Sequence, residues 1–192
     1  MPSTAALLVI DMQNAMVAMA HRAAETVAVI AGLSERARAA GVPVVTVRHR
    51  GEEVVPGTEG WRVVPELAPR EGEPVVDKTT PDGFLATDLD ETLKALGVTE
   101  VIVTGFATEV CVDTTARQAL SRGYDLVVEA DGHTTSRRSA ADAEGLVPAD
   151  RSIAQYNTVY RTIGWPGRRI RVRAAVGVDF TAPEGVPGVT PA

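Results

Sequence analysis

Residues 100–128 read Glu100-Val101-Ile102-Val103-Thr104-Gly105-Phe106-Ala107-Thr108-Glu109-Val110-Cys111-Val112-Asp113-Thr114-Thr115-Ala116-Arg117-Gln118-Ala119-Leu120-Ser121-Arg122-Gly123-Tyr124-Asp125-Leu126-Val127-Val128. The apolar, β-branched opening predicts a buried strand over 100–104. Thr108 is placed to cap a helix running to about Arg122, and Gly123 is its expected stop. Tyr124 to Val128 predicts the next strand. A strand, a helix and a second strand in one short stretch form the unit of a parallel sheet, because parallel neighbours need a crossover.

The alternation extends both ways along the chain. Residues 6–11 predict a buried strand. Residues 22–40 predict a helix, with Ala23, Val27, Ile30, Leu33, Ala37 and Ala40 spaced by three or four. A strand over 42–47 carries Pro43 at its beginning, where a missing N–H is tolerated. A third strand covers 74–77. Thr87-Asp88-Leu89-Asp90 resembles a capping box at a helix start, and Gly97 closes that helix. Helical segments are expected near 137–146 and 150–161. The fold class is α/β, a doubly wound, mostly parallel sheet with helices on both faces. Ile170, Val172, Ala174, Val176 and Val178 alternate with Arg169, Arg171 and Arg173, which is strand periodicity. Residues 181–192 hold three Pro and two Gly and read as a loose tail. The expected division is a core domain over 1–165 and a C-terminal extension over 166–192.

Composition narrows the function classes. The 192-residue chain is 45% hydrophobic with a formal net charge of −6 and no basic block. That disfavours nucleic-acid and anionic-membrane partners. No apolar run approaches the ~20 residues of a membrane helix. The N-terminus lacks the charge and apolar length of a signal peptide. Cys111 is the only cysteine, so no internal disulfide forms, which suits a reducing cytoplasmic setting.

Three residues follow predicted strands. Asp11 comes after Leu7-Leu8-Val9-Ile10, Lys78 after Pro74-Val75-Val76-Asp77, and Cys111 one short turn after Gly105. On a parallel sheet they gather beyond the carboxyl ends of the strands, where open α/β sheets bind ligands. Taken singly, each has an ordinary reading: a structural cysteine, a surface lysine, an aspartate bonded to local amides. Together they supply a thiol, a base for its proton and a cation for its charge. The first turn of a helix also favours thiolate at Cys111. Residues 49–73 hold four Gly and three Pro, and a loop this long in a compact domain is usually functional.

The segments carrying these residues resemble the isochorismatase-like cysteine hydrolases. Asp11-Met12-Gln13-Asn14 is similar to that family's opening, and Lys78 with Phe84 and Thr87-x-Leu89 to its lysine segment. Gly105 to Cys111, with Val112, Thr115, Ala116 and Arg117, resembles its nucleophile segment. Gly123-Tyr124 and Asp131-x-His133-Thr134 also fit, and the similarity spans roughly residues 5–160. The resemblance implies a Rossmann-like three-layer fold. It makes Cys111 the nucleophile, Asp11 the general base, and Lys78 the residue that orients the pair. It further implies a cis peptide at Phe106–Ala107 and an oxyanion hole formed by the Ala107 and Cys111 amides.

Departures from the family matter too. The nicotinamidase branch has a metal-binding Asp-x-His where this chain has Val47-Arg48-His49-Arg50. No metal or other cofactor is expected. His49 is then a loop residue or a substrate contact, and His21 and His133 are structural. Gln13, Trp61, Phe84 and Phe106 are the expected substrate contacts, although Trp61 serves equally well as an anchor of its own loop. Arg117 is an exposed or interface residue. The implied reaction is hydrolysis of a C–N bond in a small amide, ureide or carbamoyl compound through a Cys111 thioester. The alternatives are vinyl ether hydrolysis, as in true isochorismatases, and a non-catalytic binding protein of the same fold. Beyond a small-molecule substrate, the expected partner is the chain itself, as a homo-oligomer, a dimer or tetramer.

Overall fold

The computed structural model describes residues 4–138 and 147–180. The chain runs β1 (Ala5–Ile10), α1 (Asn14–Met19), α2 (Ala23–Ala39), β2 (Val44–His49), a 3-10 turn (Pro65–Leu67), β3 (Val75–Lys78), α3 (Leu89–Ala95) and β4 (Glu100–Phe106). A π-helical turn (Thr108–Val112) then leads into α4 (Asp113–Ser121), β5 (Asp125–Thr134), α5 (Ala149–Thr162), β6 (Ile170–Arg173) and a second 3-10 turn (Ala175–Gly177).

The six strands form one sheet in the order β3-β2-β1-β4-β5-β6. Every pairing is parallel. Leu7, Leu8 and Ile10 of β1 are fully buried and Val9 nearly so. Burial on both faces is what an unbroken apolar strand implies, and each such side chain contributes about 1.5–3 kcal/mol. The side chains of β1 divide between two cores. Leu8 and Ile10 pack with Leu89 and Leu93 of α3, Ala116 and Leu120 of α4, and Tyr160 of α5. Leu7 and Val9 pack with Val27, Ile30 and Leu33 of α2. The architecture is therefore three layers.

The chain reverses its winding direction between β1 and β4, because β2 and β3 lie on one side of β1 while β4 to β6 lie on the other. That reversal makes the carboxyl ends of β1 and β4 the topological switch point. Gly105 permits the two strands to end this close together. Its φ is +118°, and a Cβ there would lie 2.0 Å from the Ile10 carbonyl oxygen.

Several sequence expectations are revised. Helix α3 keeps only part of the expected capping box: Asp88 makes no side-chain cap, while Thr87 Oγ1 accepts the Leu89 amide at 3.3 Å and donates to the Gly83 carbonyl at 2.6 Å. Thr108 does not cap the helix that follows it. Its turn has no side-chain cap, and five residues of π-helix precede α4. Helix α1 was not anticipated. The strand expected over Ile170–Val178 stops at Arg173, where the chain turns, and its four residues pair with Leu126–Glu129. The helix expected near 137–146 falls mainly on 139–146, outside the described residues.

Candidate active site

Asp11, Lys78 and Cys111 converge at the switch point. Asp11 follows β1 with φ +53°, a left-handed conformation uncommon for a side chain other than glycine. Its amide donates to the Val47 carbonyl at 2.8 Å, which holds this backbone, and strain of this kind clusters at functional sites. Lys78 ends β3, two strands away, and spans β2 with its four-carbon stem. Its side chain is fully buried. The ammonium carries three protons and has three neighbours: Asp11 Oδ2 at 2.7 Å, Cys111 Sγ at 3.3 Å and the Thr80 carbonyl at 3.1 Å.

Burial works against charge on both Cys111 and Asp11. Burial pushes the Cys111 thiol up to about 12, and the neighbouring Asp11 charge adds to this against the pull of Lys78. Burial also raises Asp11, opposed by its contact with Lys78. The sequence reading expected a preformed thiolate. Desolvation and the Asp11 charge push Cys111 instead toward the thiol, against the pull of Lys78.

Comparison with known proteins places the chain. A family model described as the Isochorismatase domain matches residues 5–148.

The chain belongs to the isochorismatase family.

Streptothricin hydrolase of Streptomyces noursei is 39% identical over 191 residues, covering 95% of this chain and 67% of that protein. A ureidoacrylate amidohydrolase of Methylobacterium radiotolerans is 30% identical, covering 96% and 84%. Among solved structures, an isochorismatase from Pseudomonas putida KT2440 superposes with a TM-score of 0.81 at 31% identity, over 92% of this chain and 90% of that one. This isochorismatase-family chain thus stands among hydrolases that include an amidohydrolase.

The four expected substrate contacts fall in different places. Gln13 is fully buried. Its amide nitrogen donates to the carbonyls of His49 at 2.9 Å and Trp61 at 2.8 Å, and its oxygen accepts the His49 amide at 2.8 Å. It therefore clasps the loop after β2 onto the end of β1. Phe84 is buried in the core, its ring 6.1 Å from that of Tyr124. Phe106 is buried on the opposite face of the sheet, and the Phe106–Ala107 peptide is cis. Trp61 alone of the four is half-buried. The Arg48 guanidinium lies 4.0 Å from its ring centre and is held by Asp77 at 2.8 Å.

His49 pairs in register with Lys78. Burial and the Lys78 charge push its imidazole below the ordinary value. Among the described residues, no group of three or more His, Cys, Asp or Glu side chains could hold a metal ion, and no helix is long and apolar enough to cross a membrane.

Sequence reasoning missed the supports behind the turn that carries Cys111. His133 touches Thr108, and Glu109 is paired with Arg138 and accepts the Thr135 hydroxyl at 2.7 Å. No local pattern announces these contacts, because each joins residues at least 25 positions apart.

Proposed function

We propose that this chain is a cysteine amidohydrolase acting on a small amide, ureide or carbamoyl compound, with Asp11, Lys78 and Cys111 as its catalytic residues. The observation that carries the reading is one buried ammonium in contact with both a carboxylate, at 2.7 Å, and the only thiol, at 3.3 Å. A surface lysine or a structural cysteine gives no reason for that arrangement.

The proposed steps start from a Cys111 thiol and an Asp11 carboxylate. As Sγ adds to the scissile carbonyl, Asp11 accepts its proton, so no free thiolate has to form in a desolvated site. Lys78 holds both partners in place. The carbonyl oxygen becomes an oxyanion, stabilised by the Ala107 and Cys111 amides. Asp11 returns its proton to the leaving nitrogen as the C–N bond breaks, and a thioester remains on Cys111. Water then adds while Asp11 takes its proton. Collapse releases the acid, and the proton on Asp11 restores the thiol. Every proton is accounted for by side chains of this chain and by water.

The relatives support the substrate class, since one is a ureidoacrylate amidohydrolase. The test is a panel of ureidoacrylate, N-carbamoyl amino acids and simple carboxamides, assayed for ammonia. Cys111→Ala should abolish release with the fold intact. Intact-mass analysis after a rapid acid quench should show a thioester adduct on the wild type. Ammonia release that survives in Cys111→Ala would overturn the proposal, as would cleavage of a vinyl ether with no amide turned over.

A further inference from the structure

Three side chains in and just after the turn that carries Cys111 are bonded to residues of β5 and α5. Thr108 Oγ1 meets His133 Nδ1 at 2.8 Å. The Glu109 carboxylate accepts from Ser152 Oγ at 3.3 Å. Asp113, the first residue of α4, accepts from Tyr160 Oη at 2.7 Å. Ser152 and Tyr160 belong to α5, and His133 is itself tied to α5 through Asn157, Nε2 to Oδ1, at 3.1 Å. Besides the Thr135 and Arg138 contacts of Glu109, the turn is thus braced by α5, and of the residues that link it to that helix His133 alone lies within the sheet.

The hydrogen bonds fix the ring's tautomer. The Asn157 amide nitrogen donates to the Ala130 carbonyl at 3.0 Å, which leaves its oxygen facing the ring. An amide oxygen only accepts, so His133 Nε2 carries the hydrogen. Burial pushes the imidazole below its ordinary value, so the ring is neutral and Nδ1 holds a lone pair. The Thr108 hydroxyl must therefore donate to Nδ1. The ring is 2% exposed, so water offers neither atom a substitute.

We propose that His133 is a positioning residue for the reaction. As the neutral Nε2–H tautomer it relays the position of Asn157 in α5 to Thr108, and so sets the turn that aims Cys111 at Lys78 and the carbonyl under attack. This inference rests on Cys111 being the nucleophile. His133 does not touch the reacting atoms. Its effect falls on the turnover step, where a misplacement of about 1 Å removes on the order of 10²-fold in rate.

The experiment uses the panel compound with the highest turnover and measures kcat, KM and thermal stability together. His133→Leu should lower kcat about 10- to 100-fold with KM within about 3-fold. His133→Gln should restore most of the loss, because its carbonyl can accept from Thr108 while its NH2 donates to Asn157. Thr108→Val removes the hydroxyl from the other end of the same bond and should behave like His133→Leu. The double variant should be no worse than either single one, as expected for one shared interaction. Wild-type kcat in folded His133→Leu or Thr108→Val would overturn the proposal. So would a Gln variant no better than Leu, or losses that multiply in the double variant. If His133→Leu fails to fold, Thr108→Val and His133→Gln decide the matter. Cys111→Ala, run in parallel, separates the two levels: if it keeps hydrolysing, the functional reading fails, and if it is dead while the His133 and Thr108 variants are normal, only the positioning role fails.

Discussion

Replacing Lys78 with Met tests whether the buried ion pair is a catalytic element rather than a packing accident. Met keeps the length of the stem and removes the charge. Asp11 is then left with its carboxylate 1% exposed and without the cation 2.7 Å away. Breaking a buried pair from one side destabilises by roughly 3–5 kcal/mol, because the survivor is charged and desolvated. For a chain of this size that is a fall of about 10 °C in Tm. Asp11 is already raised by burial, and losing Lys78 raises it further. A carboxylate whose folded pKa lies above its unfolded value loses stability as pH rises. The variant's deficit should therefore be small at low pH and grow toward pH 8.

Asp11→Asn/Lys78→Met removes both charges. Asn is the suitable partner, because it tolerates the left-handed backbone at this position. The double variant should recover to within about 1–2 kcal/mol of the parent, yet remain inactive by on the order of 10³-fold or more. Urea unfolding at pH 5, 7 and 8.5, followed by circular dichroism and set beside ammonia release, reads both quantities. A double variant as unstable as Lys78→Met, or a single variant with no pH-dependent deficit, would refute the electrostatic reasoning. Recovered activity in the double variant would refute the catalytic one.

Four further outcomes are expected. Iodoacetamide should alkylate Cys111 slowly at pH 7 and faster with each unit up to about pH 11, since the thiol is pushed up to about 12; a plateau below pH 8 would show a preformed thiolate. Glu129 is fully buried and pushed up to about 9 by burial and the adjacent Asp131, so stability should fall as pH rises from about 4.5 toward 9, and Glu129→Gln should flatten that slope and gain on the order of 3 kcal/mol at pH 7, an idea that an unchanged slope in urea titrations would end. Gly105→Ala places a Cβ 2.0 Å from the Ile10 carbonyl oxygen and should give insoluble or inactive protein, whereas a soluble variant with parental Tm would show that the strand ends can separate freely. We propose that the chain self-associates into a dimer or tetramer, since closed symmetric assembly is the common way to cover sheet edges such as those of β3 and β6 and exposed side chains such as Val176; one species near 20.2 kDa in sedimentation at micromolar concentration would refute this.

The sheet and the reactive trio were legible because the information for both is local. A strand buried on both faces leaves an unbroken apolar run, and the residue after it lies at the sheet's carboxyl edge wherever the strand is placed in the order. Asp11, Lys78 and Cys111 could thus be located from their own neighbours before the order β3-β2-β1-β4-β5-β6 was known. What hid from the sequence is non-local. The side-chain amide of Gln13 donates to backbone carbonyls 36 and 48 positions away, which have no identity in a sequence. Thr108 looked like a helix cap because threonine before a helix usually is one, and only the arrival of His133 from β5 turns its hydroxyl elsewhere. The forces on the Cys111 proton divide in the same way. The helical turn and Lys78 are visible as sequence features that favour thiolate, whereas the desolvation that outweighs them belongs to the assembled site. Strand ends therefore say which groups meet. The neighbours that set proton positions and aim come from elsewhere in the chain, so variants of Gln13, Thr108 and His133 tell more about how this site works than another substitution at Cys111.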